Sequence, residues 1–235
     1  VTGGTRGIGR AISERLKADG FTVAANYAGN DAAAQAFSSE TGIAVYKWDV
    51  GSYEACAEGI AKVEADLGPV DVVVNNAGIT RDATLHKMTQ AQWDDVIRTD
   101  LTSIFNMCRL VIEGMRARSY GRIVNISSIN GQKGQIGQAN YSAAKAGMIG
   151  FTKALAQEAA SKGITVNVIA PGYVDTEMVA AVPEAVLQKI IGTIPVGRLG
   201  KAEEIARAVS FLTAEDAGFI TGATLTVNGA QYIAG

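Results

Sequence analysis

Short apolar runs alternate with longer amphipathic segments from one end of this chain to the other. The runs are nearly continuous stretches of valine, isoleucine and alanine, which is typical of parallel strands that are buried on both faces. Strands are predicted at residues 21–26, 43–49, 70–76, 122–127, 164–171 and 223–228. The amphipathic segments predict helices at residues 7–19, 31–40, 53–67, 91–117, 141–161 and 202–212.

This alternation predicts an α/β fold, a doubly wound, Rossmann-type and mostly parallel sheet with helices on both faces. A further strand at the start of the chain would bring the sheet to seven strands. No linker, repeat or charge run interrupts the pattern, so we expect one domain over residues 1–235. Residues 178–197 are less regular and are a candidate for a mobile substrate lid.

The predicted first strand is short, because Val1 and Thr2 lead straight into a glycine turn. Strands usually contain about 5 residues or more, and this one is expected in the middle of the sheet. We therefore expect several residues to precede Val1 in the intact protein.

Composition narrows the classes of function. The net charge of −2 gives no basic field that would attract nucleic acid, so a polyanionic ligand must be bound by local donors. No apolar stretch is long enough to cross a bilayer. Cys56 and Cys108 are isolated thiols without metal-ligand spacing, which fits a reducing cytoplasm. With His86 as the sole histidine, neither a metal site nor a histidine-based triad is expected.

Glycines at positions 3, 7 and 9 precede the first predicted helix in the run TGGTRGIGRAI. Gly3 and Gly7 permit a tight turn, and Gly9 permits close packing of the helix. The helix N-terminus would then offer backbone N–H groups and a positive dipole end to a pyrophosphate. The alternative is a turn that starts a helix and binds no ligand.

The adenosine end of such a site favours NADPH over NADH. NAD-binding proteins usually place an acid at the end of the second strand, whereas this strand ends at Asn26. Arg6, inside the glycine turn, is suited to a 2′-phosphate. Asp49 ends the third strand and would either bind adenine or cap the next helix. Residues 75–78 either border the cofactor and brace the sheet or form a plain turn.

Tyr141 and Lys145 lie four positions apart on a predicted helix and therefore share one of its faces. A neighbouring ammonium favours the phenolate and can lower a tyrosine pKa from about 10, which makes the phenol a usable proton donor. Ser128 follows a predicted buried strand, at the edge where ligands bind in open α/β sheets. Together the three groups are suited to hold and protonate a carbonyl oxygen.

The motifs TGGTRGIG, NNAG, the serine of NISS, Y-x3-K and PGYVDT occur in the order and spacing of the short-chain dehydrogenase/reductase family. The resemblance covers the whole chain. Within the family, NAGITRDATLHKMT and GRIVNISSINGQKGQIGQANYSAAKAG most resemble acetoacetyl-CoA reductases of polyhydroxybutyrate synthesis. The 3-oxoacyl-acyl-carrier-protein reductases share much of this pattern.

The resemblance implies a role for each motif residue. Tyr141 would be the general acid, Ser128 would bond the substrate carbonyl, and Lys145 would bind the nicotinamide ribose. The residues expected to line the NADPH cleft are Gly3, Arg6, Gly7, Ile8, Gly9, Asn26, Asp49, Val50, Asn75, Ala77, Gly78, Tyr141, Lys145, Pro171, Gly172, Val174 and Thr176. Those expected near the acyl substrate are Ser128, Gln135, Gln138, Tyr141 and Tyr173, although the two glutamines would alternatively lie in a solvated loop.

One position departs from the family. Where its members have asparagine, this chain has Asp100. In the family the backbone carbonyl at this position helps to hold a water that links the lysine to solvent. A carboxylate keeps that role but loses the amide donor, and a buried, ionised one would interact with Lys145. Asp100 is therefore expected either to alter the proton relay as a catalytic residue or to cap a bend in the helix.

The activity implied is NADPH-dependent reduction of acetoacetyl-CoA to 3-hydroxybutyryl-CoA, with R stereochemistry. The first alternative is a 3-oxoacyl-acyl-carrier-protein reductase, for which Arg81, Lys133 and Arg198 are candidate contacts; the same residues would equally suit CoA phosphates. The second alternative is a catalytically silent dinucleotide-binding protein. The resemblance also implies a cytoplasmic homotetramer with helices 91–117 and 141–161 at the interface.

Overall fold

The strands of the fold are short and parallel. The computed structural model describes residues 1–176 and 184–233. Its strands are β1 (Ala24–Tyr27), β2 (Ala44–Lys47), β3 (Val72–Asn75), β4 (Gly121–Ile126), β5 (Ile164–Pro171) and β6 (Thr224–Val227). Every strand pairing is parallel, with β1 beside β2 and with β3, β4, β5 and β6 in that order.

Residues 1–4 join these two groups of strands into one layer. The Val1 carbonyl accepts a hydrogen bond from the Asn26 N–H at 2.9 Å, and the Gly4 N–H donates to the Asn26 carbonyl at 2.9 Å. On the other side, the Thr2 N–H donates to the Val74 carbonyl at 3.0 Å. These residues take the place of the predicted seventh strand without forming a full strand. The strand order reverses here, which confirms the doubly wound topology.

Helices separate the strands along the chain. They are α1 (Gly7–Ala18), α2 (Asp31–Thr41), α3 (Tyr53–Leu67), α4 (Gln90–Val96), α5 (Ser103–Arg118), α6 (Ile129–Lys133), α7 (Ala139–Ala159), α8 (Glu184–Ile191) and α9 (Ala202–Thr213). None of the helices in the described part of the chain is long and apolar enough to span a membrane.

The core lies on both faces of the sheet, as the continuous apolar runs predict. Val73 and Ile123 pack on the face covered by α3, α5 and α7. Their neighbours Val74 and Val124 point the other way, against α1 and α9. Because successive side chains of a strand alternate between faces, this two-sided burial requires apolar residues at consecutive positions.

The prediction of one regular helix over residues 91–117 is wrong. A π-helical turn, Ile97–Thr102, separates α4 from α5. Such turns make wider hydrogen-bonded rings and are frequent at functional sites. This one contains Asp100, which is completely buried. The apolar periodicity does not reveal the extra residue in the turn, because apolar positions continue on either side of it.

The predicted lid lies only partly in the described structure. Residues 178–183 are outside the described residues, whereas α8 and the turn after it are inside. Ile194 is buried, and the Val196 N–H donates to the Gly229 carbonyl at 3.3 Å, so the end of this segment rests on the C-terminal loop. The lid itself stays a prediction.

Arg122, at the start of β4, links the amino ends of β4 and β5 to the segment that follows α9. It is 3% exposed, and its guanidinium donates to the carbonyls of Ala214, Gly121, Gly163 and Glu215. The same guanidinium lies over the Tyr120 ring, 4.6 Å from the ring centroid. A planar, multidentate donor is therefore needed at this position.

We expect Arg122→Lys to lower the free energy of unfolding by about 2–4 kcal/mol, because an ammonium cannot reach all these carbonyls and leaves buried acceptors unpaired. Urea denaturation followed by circular dichroism measures the change. The matched control is Arg109→Lys, since Arg109 forms an exposed ion pair with Glu113. A loss no larger than that of the control would contradict this role.

Candidate active site

The predicted functional residues gather at one edge of the sheet. Because the paired strands are parallel, their carboxyl ends lie at the same edge. The segments that leave the sheet there are the glycine turn after residues 1–4, residues 75–78 after β3, Ser128 after β4, and residues 171–176 at the end of β5. The structure thus brings together segments that are far apart in sequence.

The glycine turn has the geometry that its sequence predicts. Gly3 and Gly7 have positive φ angles of 59° and 50°, which only glycine adopts easily. A methyl group on Gly9 would collide with the Gly3 carbonyl and with the Asn76 side chain. The Asn76 amide braces the turn by donating to the carbonyls of Thr2 at 3.0 Å and Gly3 at 3.2 Å.

The start of α1 fits a pyrophosphate. Arg6 precedes the helix without capping it through its side chain, and the first turn contains no acidic residue. The first N–H groups of the helix and its positive dipole end are therefore left for an anion. A methyl on Gly7 would point towards Thr176, 3.8 Å from its methyl carbon, so the turn and the segment after β5 face each other across a gap.

At the predicted adenosine site the structure has an exposed cation, Arg6, and an acid, Asp31, that is already paired. Arg6 is exposed, and no carboxylate of residues 1–176 and 184–233 lies within ion-pair distance of it. Asp31, the acid that most closely follows β1, is paired with Lys47 at 2.9 Å. This pairing reduces the repulsion that a carboxylate would exert on a phosphate.

Two other predicted cofactor residues are engaged with the protein itself. The buried Asn26 side chain donates to the Trp48 carbonyl at 3.0 Å and accepts from the Gly3 N–H at 3.4 Å, so it braces the turn. Asp49 accepts from the Gly51 N–H at 2.8 Å and pairs with Arg98 at 2.6 Å. Burial would raise the pKa of the Asp49 carboxyl, but these two contacts outweigh it and lower the pKa.

The predicted cofactor residues Val50, Asn75, Ala77 and Gly78 lie at or just after the ends of β2 and β3. Val50 is buried, and its carbonyl accepts from the Asn106 amide at 3.0 Å. The Asn75 amide donates to the Asn125 side chain on β4 at 2.8 Å, and the Asn125 amide donates to Thr152 on α7 at 2.8 Å. The Asn75 side chain therefore braces the sheet, which leaves its backbone and the half-buried Ala77 and Gly78 to border a cofactor.

Lys145 connects α7 to the end of β4. The residue is 3% exposed, and its ammonium donates to the Ile126 carbonyl at 3.1 Å, while the Ser127 hydroxyl donates to the Lys145 carbonyl at 2.8 Å. The ammonium also lies 5.4 Å from the centroid of the Tyr141 ring. The predicted spacing of four residues thus places the cation beside the phenol.

Ser128 is oriented as a donor. Its Oγ accepts a hydrogen bond from the Asn130 N–H at 3.1 Å, so Ser128 caps α6, a helix that the sequence did not predict. Because one lone pair of the oxygen is used in this way, the hydroxyl hydrogen can point elsewhere, towards a substrate oxygen. The cap therefore fixes the position of the Ser128 hydroxyl at the end of β4.

The side chain of Asp100 faces Lys145 directly. One carboxylate oxygen accepts from the Ile79 N–H at 2.8 Å, and the other lies 3.4 Å from the Lys145 ammonium. Burial raises the pKa of the Asp100 carboxyl, against the opposing influence of Lys145. Burial would lower the pKa of Lys145, but the charges of Asp100 and Tyr141 outweigh it and raise that pKa.

Gly78 makes room for this pair. A methyl group at Gly78 would lie 2.8 Å from the second Asp100 oxygen and 3.3 Å from the Lys145 ammonium. The NNAG motif therefore ends in glycine for a reason that the sequence alone did not reveal: the buried ion pair occupies the adjacent space.

The predicted substrate residues Gln135, Gln138 and Tyr173 differ in how freely their side chains could meet a ligand. Gln135 is exposed, whereas Gln138 accepts from the Asn130 amide at 2.9 Å and donates to Asp82 at 2.9 Å. Burial raises the pKa of Tyr173, and the charge of Asp82 adds to this effect. Sequence analysis missed Asp82 and Asn130, although both lie inside the motifs quoted above.

Comparison with known proteins agrees with this geometry. Residues 3–230 match a family model described as enoyl-(acyl carrier protein) reductase. The chain is 71% identical to the acetoacetyl-CoA reductase of Shinella zoogloeoides over 233 residues, which are 99% of this chain and 97% of that protein. It is 67% identical to the acetoacetyl-CoA reductase of Paracoccus denitrificans, over 99% of this chain and 97% of that one.

A 3-oxoacyl-acyl-carrier-protein reductase of Escherichia coli is 47% identical, over 99% of this chain and 96% of that protein. These matches extend along nearly the whole chain. The chain therefore belongs to the short-chain dehydrogenase/reductase family, whose members are oxidoreductases that use nicotinamide dinucleotides.

Proposed function

We propose that the protein reduces acetoacetyl-CoA to (R)-3-hydroxybutyryl-CoA with NADPH, for polyhydroxybutyrate synthesis. The observation that carries this proposal is the Lys145 ammonium, which donates to the Ile126 carbonyl at the end of β4, two residues before Ser128, and lies beside Tyr141. The choice of substrate is supported by the acetoacetyl-CoA reductases that share 71% and 67% of their aligned residues with this chain.

Each side chain then has a defined task. When NADPH is bound, its reduced ring supplies a hydride to the 3-oxo carbon. Ser128 donates a hydrogen bond to the carbonyl oxygen. As that oxygen becomes an alkoxide, the O–H bond of Tyr141 breaks and its proton passes to the oxygen. Lys145 stabilises the phenolate that remains, and a proton from solvent restores Tyr141.

The cofactor would be bound by the residues around the glycine turn. The N-terminus of α1 would bind the pyrophosphate, Arg6 the 2′-phosphate, and Lys145 the nicotinamide ribose. Gly3, Gly7, Ile8 and Gly9 would shape the turn around it. The wall would comprise Asp49, Val50, Asn75, Ala77, Gly78, Pro171, Gly172, Val174 and Thr176, with Asn26 acting by bracing the turn.

The acyl group would lie against the predicted substrate residues. Gln135 and Tyr173 are the proposed contacts, and Gln138 would contribute only by giving up one of its present hydrogen bonds. Residues 178–197 would cover the bound substrate. A cytoplasmic homotetramer is also proposed: the exposed Phe105 on α5 stacks against Tyr53 at 6.4 Å between ring centroids, an aromatic pair suited to a subunit interface.

The 3-oxoacyl-acyl-carrier-protein reductase remains the second candidate, because the Escherichia coli relative is 47% identical. Of the three basic residues considered for either thioester, Arg198 is paired with Glu204 at 2.7 Å and Arg81 lies 3.7 Å from Asp95. Lys133 has no carboxylate partner in the described residues. Lys133 is therefore the best placed of the three to meet a phosphate.

The general-acid role of Tyr141 is tested by Tyr141→Phe. We expect kcat for acetoacetyl-CoA reduction to fall by about 10²- to 10⁴-fold, because the proton donor is lost while the ring is kept. Absorbance of NADPH measures the rate, and fluorescence titration should show unchanged NADPH binding. Tyr120→Phe is the matched control, because Tyr120 precedes β4 at the opposite end of the strand and the variant keeps the ring that lies under Arg122. Turnover near that of the wild type in Tyr141→Phe would refute the role.

The choice of cofactor is tested by Arg6→Ala. We expect KM for NADPH to rise about 10- to 100-fold, the loss of a charge-assisted contact worth about 1.5–3 kcal/mol. KM for NADH should change little, because NADH lacks the 2′-phosphate. Arg10→Ala is the control, since Arg10 is already paired with Glu14 and Glu40. An equal rise for both cofactors would show that Arg6 does not recognise the phosphate.

The thioester carrier is tested by comparing kcat/KM for acetoacetyl-CoA and for acetoacetyl-carrier protein, and we expect the CoA ester to be the better substrate. Lys133→Gln should raise KM for acetoacetyl-CoA about 2- to 5-fold at low salt, since an exposed ion pair is worth about 0.2–1 kcal/mol. Lys62→Gln, on α3, serves as the control. Preference for the carrier-protein ester would favour the second candidate.

A further inference from the structure

The charge of Lys145 is compensated inside the protein. Its ammonium has three N–H groups, of which one donates to the Ile126 carbonyl and one points to the Asp100 carboxylate 3.4 Å away. Both partners lie on rigid elements, namely β4 and the π-helical turn. One donor is left for the phenol or for a cofactor ribose.

In the described structure, the Asp100 carboxylate oxygen that faces Lys145 has no partner other than that ammonium. The other oxygen of this carboxylate accepts from the Ile79 N–H. The side chain is completely shielded from solvent, so water does not screen its charge. A buried carboxylate with a single counter-charge interacts strongly with that charge.

The remaining charges around the pair are few. In the described structure, the ionisable groups whose charges act on Lys145 are Asp100 and Tyr141, and the one that acts on Asp100 is Lys145. Arg98, on the same turn, pairs with Asp49, and on α4 Asp95 lies near Arg81 while Asp94 accepts from Gln90. The charge of Lys145 is therefore balanced chiefly by one carboxylate, that of Asp100.

We propose that Asp100 is a positioning residue that fixes the Lys145 ammonium and cancels part of its charge, and that this buried pair sets the pH range in which the protein reduces its substrate. This inference rests on the proposed function, because it concerns the proton that Tyr141 gives to the substrate. The paired carboxylate favours the direction of reduction, in which the phenol must be protonated, over the reverse direction, in which it must be ionised.

The test is the pH dependence of kcat in Asp100→Asn. Loss of the carboxylate leaves the ammonium uncompensated and favours the phenolate. The alkaline limb of acetoacetyl-CoA reduction should therefore move to lower pH by about one unit, the effect of one close charge. The acid limb of NADP+-dependent oxidation of 3-hydroxybutyryl-CoA should move in the same direction. A role confined to folding would lower kcat without moving either limb.

Asp94→Asn is the matched control, because it removes the same charge from an exposed position on the adjacent α4. Its pH profile should coincide with that of the wild type. Asp100→Ser removes the carboxylate without placing an amide donor beside the ammonium, and it replaces Asp100→Asn if the latter does not melt cooperatively. Unmoved limbs, or an alkaline limb displaced to higher pH, would overturn the proposal.

A measurement on the unmodified protein tests independently whether the Asp100 carboxyl is ionised. Infrared spectroscopy of protein labelled with ¹³C-aspartate at neutral pH distinguishes a protonated carboxyl from carboxylates, and the exposed aspartates are ionised there. We expect no protonated band. A band from a buried, neutral carboxyl would overturn the proposal even if no variant folds. If the wild type did not oxidise NADPH with acetoacetyl-CoA, the proposed function would fail, while this spectrum would still report on the pair.

Discussion

The burial of one ammonium group governs the arrangement of this site. A cation removed from water is stable only when hydrogen-bond acceptors and a counter-charge replace the solvent. For Lys145 these come from the Ile126 carbonyl and the Asp100 carboxylate. The partners lie on β4 and on the turn between α4 and α5, so the lysine can be buried only where these elements meet α7.

The elements around Lys145 are in turn fixed by polar contacts rather than by apolar packing alone. Asn75, Asn125 and Thr152 form a chain of side-chain hydrogen bonds from β3 through β4 to α7. The Asn140 amide, one residue before Tyr141, donates to the carbonyls of Arg81 and Gln92 at 3.1 and 3.0 Å. Because hydrogen bonds are directional, they specify one position of α7, where apolar contacts would allow several.

The cofactor side of the cleft is rigid for a similar reason. Asn26 and Asn76 both bond to the glycine turn, from β1 and from the end of β3. The turn is therefore shaped before any ligand arrives, which reduces the conformational entropy lost on binding. These asparagines hold the backbone of the turn, so Asn26 is best understood as a brace within the predicted binding site.

Local sequence determined the strands and most helices, because apolar periodicity and glycine stereochemistry act within a few residues. It also determined the turn at Gly3, Gly7 and Gly9 and the pairing of Tyr141 with Lys145 on one helix face.

Tertiary structure alone decided the features that depend on residues far apart in the chain. These features are the pairing of residues 1–4 with the strands on either side and the π-helical turn between α4 and α5. They also include the hydrogen bond from Gln138 to Asp82 and the contact between Asp100 and Lys145. The periodic pattern of apolar residues in the sequence is the same whether a polar side chain such as Gln138 or Asp100 contacts a partner or faces solvent. Only the packing of α7 against that turn brings the two charges together and excludes the water that would otherwise separate them.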